Sequence, residues 1–157
     1  MEWARKQYEL VVEAREVVFS LCDSLSPDDY INPVTHFGQG NIRKTQAHIV
    51  DVYIHWIANY ALNKSVTYLK ADLITSVDQM RAEYANVNRW MVEFLEIHTT
   101  NPNAPITNTL GRRGQITTTP IALFTHMITH EFHHKGQLVT MARILGYQPP
   151  DTDIIRL

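Results

Sequence analysis

Four long stretches of this chain place apolar residues three and four apart, and that spacing restricts the fold more than any other feature. The first, over about residues 2 to 23, gathers Leu10, Val11, Ala14, Val17, Val18 and Leu21 on one broad face. The second, from 42 to about 62, reads Ile42, Ile49, Val52, Trp56 and Tyr60. The third carries Val77, Met80, Tyr84, Val87, Met91 and Phe94, the seam pattern of a helix in an antiparallel bundle, and His98 continues its register. The fourth, from 120 to about 145, reads Leu123, Met127, His130, His134, Leu138, Met141 and Leu145. The chain is therefore expected to be all-α.

Turn chemistry punctuates the stretches. Ser24-Leu25-Ser26-Pro27-Asp28-Asp29 is expected to end the first helix, and a loop of roughly 15 residues to follow, long enough to suggest a functional role. Asn41 is placed to cap the second helix, and the third should begin near Ser76 with Asp78 in its first turn, where a negative charge suits the helix dipole. Ile106-Thr107-Asn108-Thr109 and Gln115-Ile116-Thr117-Thr118 flank Gly111-Arg112-Arg113-Gly114, a pattern for a short β-hairpin with a basic tip. That tip would draw an anionic substrate if it folded toward a pocket; otherwise it is a solvated loop. Thr119-Pro120 starts the fourth helix, and Gly146 with Pro149-Pro150 stops it. The tail reads as an extended strap docked by Ile154, Ile155 and Leu157.

At 157 residues the chain has the length of one domain, enough to bury a core without disulfides. Its formal net charge of −2 gives no electrostatic reason to bind nucleic acid. Cys22 is the only cysteine, which excludes an intrachain disulfide and fits a reducing cytoplasm. Met1 leads into a charged amphipathic segment rather than a signal region, and no apolar run approaches the ~18–20 residues of a membrane span. A cytoplasmic protein with no membrane partner is expected.

The chemistry concentrates in Thr125-His126-Met127-Ile128-Thr129-His130-Glu131-Phe132-His133-His134-Lys135-Gly136-Gln137. His130 and His134 are four apart, so on a helix they project from one face with roughly 40° between them. Both stand where the stripe calls for leucine, and two buried imidazoles are costly unless their nitrogens find partners. A metal ion satisfies both; so do carboxylates or water. The best candidate for a third protein ligand is His48, with His55, two turns further along nearly the same face, as the alternative. Asp51, one turn after His48, could orient an imidazole or serve as a cap. His126 is one turn before His130, as an outer partner of the site or a helix-edge residue, while His133 is rotated away from His134 toward solvent or an interface. His36 and His98 have no visible partners.

The segment spells His-Glu-x-x-His, the formal zinc-protease motif. The longer protease patterns fail, however. Position 137 is Gln where one of them needs Gly, no Glu follows Glu131, and the helical reading provides no sheet to line a substrate cleft.

Two segments together resemble the DinB/YfiT-like family. Gly40-Asn41-Ile42-Arg43-Lys44-Thr45-Gln46-Ala47-His48-Ile49 is similar to that family's second-helix signature, which ends in a ligand histidine. Thr129-His130-Glu131-Phe132-His133-His134-Lys135-Gly136-Gln137 is close to its fourth-helix signature, His-Glu-x-x-His-Arg-Gly-Gln, with Lys135 replacing Arg at a position expected to be exposed. The tail from Gly146 to Asp153 is also similar. The resemblance implies a four-helix bundle with an up-down-down-up course. It further implies one divalent transition metal ion, commonly nickel or zinc, held by His48, His130 and His134, with His126, Asp51 and His55 left as outer partners. Homodimers are common among members.

Three neutral imidazoles would leave a divalent ion with open positions, the arrangement of catalytic rather than structural sites. The resemblance extends to a wider superfamily of thiol transferases and thiol-dependent isomerases, and it implies as the leading expectation a metal-dependent enzyme acting on a small molecule, either a transferase using a low-molecular-weight thiol or a hydrolase. The alternatives are a non-catalytic metal- or small-ligand-binding protein and a metal-free helical interaction domain.

Overall fold

The computed structural model describes residues 2–98, 100–109 and 114–156. Its elements in chain order are α1 (Glu2–Ser24), the short α2 (Pro27–Ile31), α3 (Ile42–Tyr53) continued by a π-helical segment (Ile54–Ala61), a 3₁₀ turn (Ala71–Leu73), α4 (Val77–Ile97), strands β1 (Ile106–Thr109) and β2 (Gln115–Thr118), and α5 (Pro120–Ile144).

Side chains set most of the helix starts. Asn41 accepts the Lys44 N–H at 2.8 Å, Ser76 that of Gln79 at 3.2 Å, and Thr119 that of Ala122 at 3.3 Å. Each satisfies one of the N–H groups that a helix cannot bond internally, a contribution of ~1 kcal/mol per cap. At the other end of α5, Gly146 takes φ 93°, which lets Tyr147 N–H reach Ala142 O and Gly146 N–H reach Arg143 O, both at 3.0 Å.

Two expectations are corrected here. The residues after α1 are not only a stop. The Ser26 hydroxyl accepts the Asp29 N–H at 3.1 Å, Pro27 takes the first helical position, and α2 forms inside the expected loop. Likewise, the second long helix does not stay α-helical to residue 62. From Ile54 it widens to the π form, with Leu62 N–H bonding back to Ile57 O at 2.9 Å. The end of that segment is tied to the hairpin. Tyr60 Oη lies 2.8 Å from the carbonyl oxygens of both Ile106 and Ile116, and Asn108 donates to Tyr60 O at 2.7 Å.

Helix α1 packs on α4 and α5, and α3 packs on the same two. Phe19, Ile49, Tyr53, Met80, Phe94 and Met127 are among the fully buried side chains between them. The hairpin has the expected strands, antiparallel with Ile106 opposite Thr118 and Asn108 opposite Ile116. Its proposed basic tip, Arg112 and Arg113, lies outside the described residues.

The tail has polar anchors, and Ile154, 38% exposed, borders a cavity with Val11, Ile128 and Phe132. Lys135 is half-buried, not exposed; its ammonium donates to Thr152 O and lies over the Phe132 ring at 4.2 Å. Tyr147 Oη accepts from Ser26 N–H at 3.0 Å and donates to Asp29 at 2.7 Å. Ile155, expected to dock, is 82% exposed, and Leu157 lies outside the described residues. Among the described residues no helix is long and apolar enough to cross a membrane.

Candidate metal centre

The packing of α3 against α5 brings His48 to the level of His130 and His134. One nitrogen from each of the three lies within 4.8 Å of the others. The ring centroids of His48 are 5.1 Å from His130 and 4.7 Å from His134, and His130 Nε2 is 3.1 Å from His134 Nε2. His48 and His130 are half-buried and His134 is buried.

This environment keeps the imidazoles neutral. Burial, reinforced by repulsion from His134, His48 and the neighbouring histidines, pushes His130 down to about 3. Burial lowers His48, with Asp51 opposing, and lowers His134, with a bond to Gln137 opposing. Three neutral imidazoles with nitrogens turned to a common point suit a divalent transition metal, whose usual donors are nitrogens of this kind. Among the described residues the group contains no carboxylate or thiolate. That leaves an ion there with its full charge and with positions not taken by protein.

Among the described residues, no other histidine joins this group. His126 is exposed, its ring 5.8 Å from His130 and edge-on to Trp56 at 5.9 Å. His55, on the π-helical segment, sits against Trp56 at 4.9 Å with Nδ1 2.6 Å from Tyr68 Oη. Asp51 accepts the Leu69 N–H at 2.8 Å, so its carboxylate secures the segment after the π-helix. His36 is exposed in a loop with φ 74°. His98 ends α4 against Phe94, with Nε2 buried and unbonded.

Glu131, between the two α5 histidines, points the other way. It is 4% exposed and meets Arg15 of α1 in two bonds, from Nε at 2.6 Å and from Nη2 at 2.9 Å. Tyr53 of α3 donates to the same carboxylate at 2.6 Å. Arg15 Nη1 also donates to Asn88 at 2.6 Å, and its guanidinium lies over the Tyr84 ring at 4.6 Å. Burial alone would lower the Arg15 pKa, but the adjacent Glu131 charge holds it well above its usual value. Burial, followed by the Glu131 charge, raises the Tyr53 hydroxyl well above its usual value. The cavity beside this network measures ≈ 20 Å³, room for about one water and no substrate. Glu131 is thus a structural counter-ion and cannot serve as a protease base.

Sequence reasoning missed Arg15 and Tyr53. A signal existed for Arg15: Tyr8, Val11, Arg15, Phe19 and Cys22 form a stripe at three and four spacing, with the cation in its middle.

The DinB family model matches residues 1–157. A curated relative, the uncharacterized protein YizA of Bacillus subtilis (strain 168), is 25% identical over 150 residues, covering 96% of this chain and 92% of that protein. The chain belongs to the DinB family.

Proposed function

From that membership and the converging imidazoles, we propose that the protein is a metal-dependent enzyme built on an up-down-down-up four-helix bundle. The observation that carries the proposal is the grouping of His48, His130 and His134 nitrogens within 4.8 Å, with no fourth His, Cys, Asp or Glu in the group among the described residues. The bundle reading draws support from α1 and α3 each packing on both α4 and α5.

In this reading His48, His130 and His134 hold one nickel or zinc ion. Such an ion supplies Lewis-acid chemistry, which makes a water or a thiol more acidic near neutral pH. His126 stands one turn from His130 on the exposed side, where it can accept a proton from the reacting group and return it to the product. Trp56 and His55 provide an aromatic wall beside it.

The substrate is a small molecule, and the reaction is thiol transfer or hydrolysis. Cys22 bears on the first. It is buried, and burial above all pushes its thiol up to about 12, so it supplies no thiolate near neutral pH. A thiol reaction would therefore take its sulfur from a low-molecular-weight thiol. A cytoplasmic homodimer belongs to the same reading.

Elemental analysis of tag-free protein purified without added metal tests the proposal. About one transition metal per chain, lost in His48→Ala and His130→Ala variants, is the expected result. No metal even after reconstitution with nickel or zinc would overturn it. A metal-loaded protein inert toward a panel of thiols, electrophiles and esters would favour a binding protein instead.

A further inference from the structure

One turn beyond the imidazole group, three side chains of α5 form a linked series. Gln137 Oε1 lies 2.7 Å from His134 Nδ1, and Gln137 Nε2 lies 3.2 Å from His133 Nε2. The chemistry of each atom fixes where the protons are. A carbonyl oxygen only accepts, so the proton of the first contact belongs to His134 Nδ1. An amide nitrogen only donates, so His133 Nε2 carries a lone pair. A neutral imidazole has one N–H. With that proton on Nδ1, the Nε2 of His134 keeps its lone pair, and this is the nitrogen that faces His130 Nε2 at 3.1 Å.

We propose that Gln137 is a positioning residue that selects the metal-binding tautomer of His134. This deepens the metal reading above and rests on it for its purpose. The two ends of an amide have nearly the same shape, so sterics alone do not orient it. In this structure the NH₂ end faces His133 Nε2 at 3.2 Å and the oxygen faces His134 Nδ1. With the amide reversed, an NH₂ group would meet His134 Nδ1. The imidazole proton would then move to Nε2 and withdraw that lone pair from the site. The spacing makes the device local: 134 to 137 and 133 to 137 are i,i+3 and i,i+4 pairs, which meet on any α-helix.

Nitrogen-15 NMR of the histidine side chains of metal-free protein at pH 8 tests the tautomer directly. His134 should carry its proton on Nδ1 in the wild type and in Gln137→Glu, which keeps an acceptor. In Gln137→Leu the proton should shift toward Nε2. Zinc affinity, measured by competition with a chelating dye, should fall about 10–100-fold in Gln137→Leu and not fall in Gln137→Glu.

An unchanged His134 tautomer in Gln137→Leu, in a variant that melts like the wild type, would overturn the proposal. Wild-type protein that binds no zinc but shows the expected tautomer shift would refute the metal reading and leave the Gln137 assignment standing.

Discussion

Helix α5 presents two polar faces to the interior, and they solve the same problem in opposite ways. On one, Glu131 is enclosed by Arg15 and Tyr53, with every charge answered from within the chain. On the other, His130 and His134 meet His48 with one nitrogen of each within 4.8 Å of the others, and His130 Nε2 and His134 Nε2 lie 3.1 Å apart. Burying polar groups is costly in both places. The first face meets that cost with partners from α1 and α3, so it can be dry and 4% exposed. The second is left half-open, and three imidazoles placed this way could hold a metal ion. Five residues spelling a protease motif thus divide between a structural ion pair and a candidate metal site, and the pairing of each side chain separates the two.

The comparison can be broken hardest at Arg15. Arg15→Met leaves the Glu131 carboxylate buried without its counter-ion, a loss expected to cost about 3–5 kcal/mol. Urea unfolding of the metal-free protein would measure it. Pairing Arg15→Met with Glu131→Leu should restore much of that stability, since replacing both members of a buried ion pair with apolar residues is often neutral. A single variant as stable as the wild type would mean that the network is not an internally satisfied core.

Tyr53→Phe is a milder probe of the same face. It removes one hydrogen bond to a charged group, worth about 1.5–3 kcal/mol, and keeps the ring. Because Tyr53 is on α3 with His48, it also tests whether the two faces are independent. The expected outcome is a lower urea midpoint with zinc stoichiometry unchanged at one per chain. A variant that folds but no longer takes up metal would show that the buried network also sets the spacing of α3 and α5 at the imidazoles.

The two faces differ as much in legibility as in chemistry. The helices were readable because each stripe repeats at the helical period, and Asn41, Ser76 and Thr119 mark starts by a mechanism visible in the residue type. The α5 histidines were readable because they interrupt a leucine-like stripe. His48 was the best candidate for a third ligand but was not fixed by its own sequence, because its role depends on which levels of α3 and α5 coincide; the family resemblance strengthened it. Arg15 and Glu131 are 116 positions apart, and a lone charge in a sequence reads as solvated until its partner is known. Proline after serine can stop one helix or begin another, so α2 was hidden in Ser26-Pro27. The widening of α3 at Ile54 is a change of hydrogen-bond register, which leaves no mark on apolar spacing over two turns. Ile155 shows the limit of reading docking from hydrophobicity alone, because Lys135 and Tyr147 already hold the tail.

The smallest expected effect concerns pH, and it isolates the open face. In the unfolded chain His130 takes up a proton near the ordinary value of about 6.5. In the folded chain burial, with His134 and His48 beside it, holds that uptake down to about 3. Between those values the unfolded chain binds a proton that the folded chain refuses. Stability should therefore be flat above about pH 7 and fall progressively as the pH drops from 6.5 toward 3. His48 and His134, both lowered by burial, act in the same direction. Thermal melts of metal-free protein at intervals from pH 8 to 4 would trace the curve, and His130→Ala should make its acid limb shallower while barely changing the melting temperature at pH 8. A variant curve parallel to the wild type would mean that His130 is free to protonate in the fold. The open face would then not be held neutral and ready for a cation, and the contrast between the two sides of α5 would fail on that side.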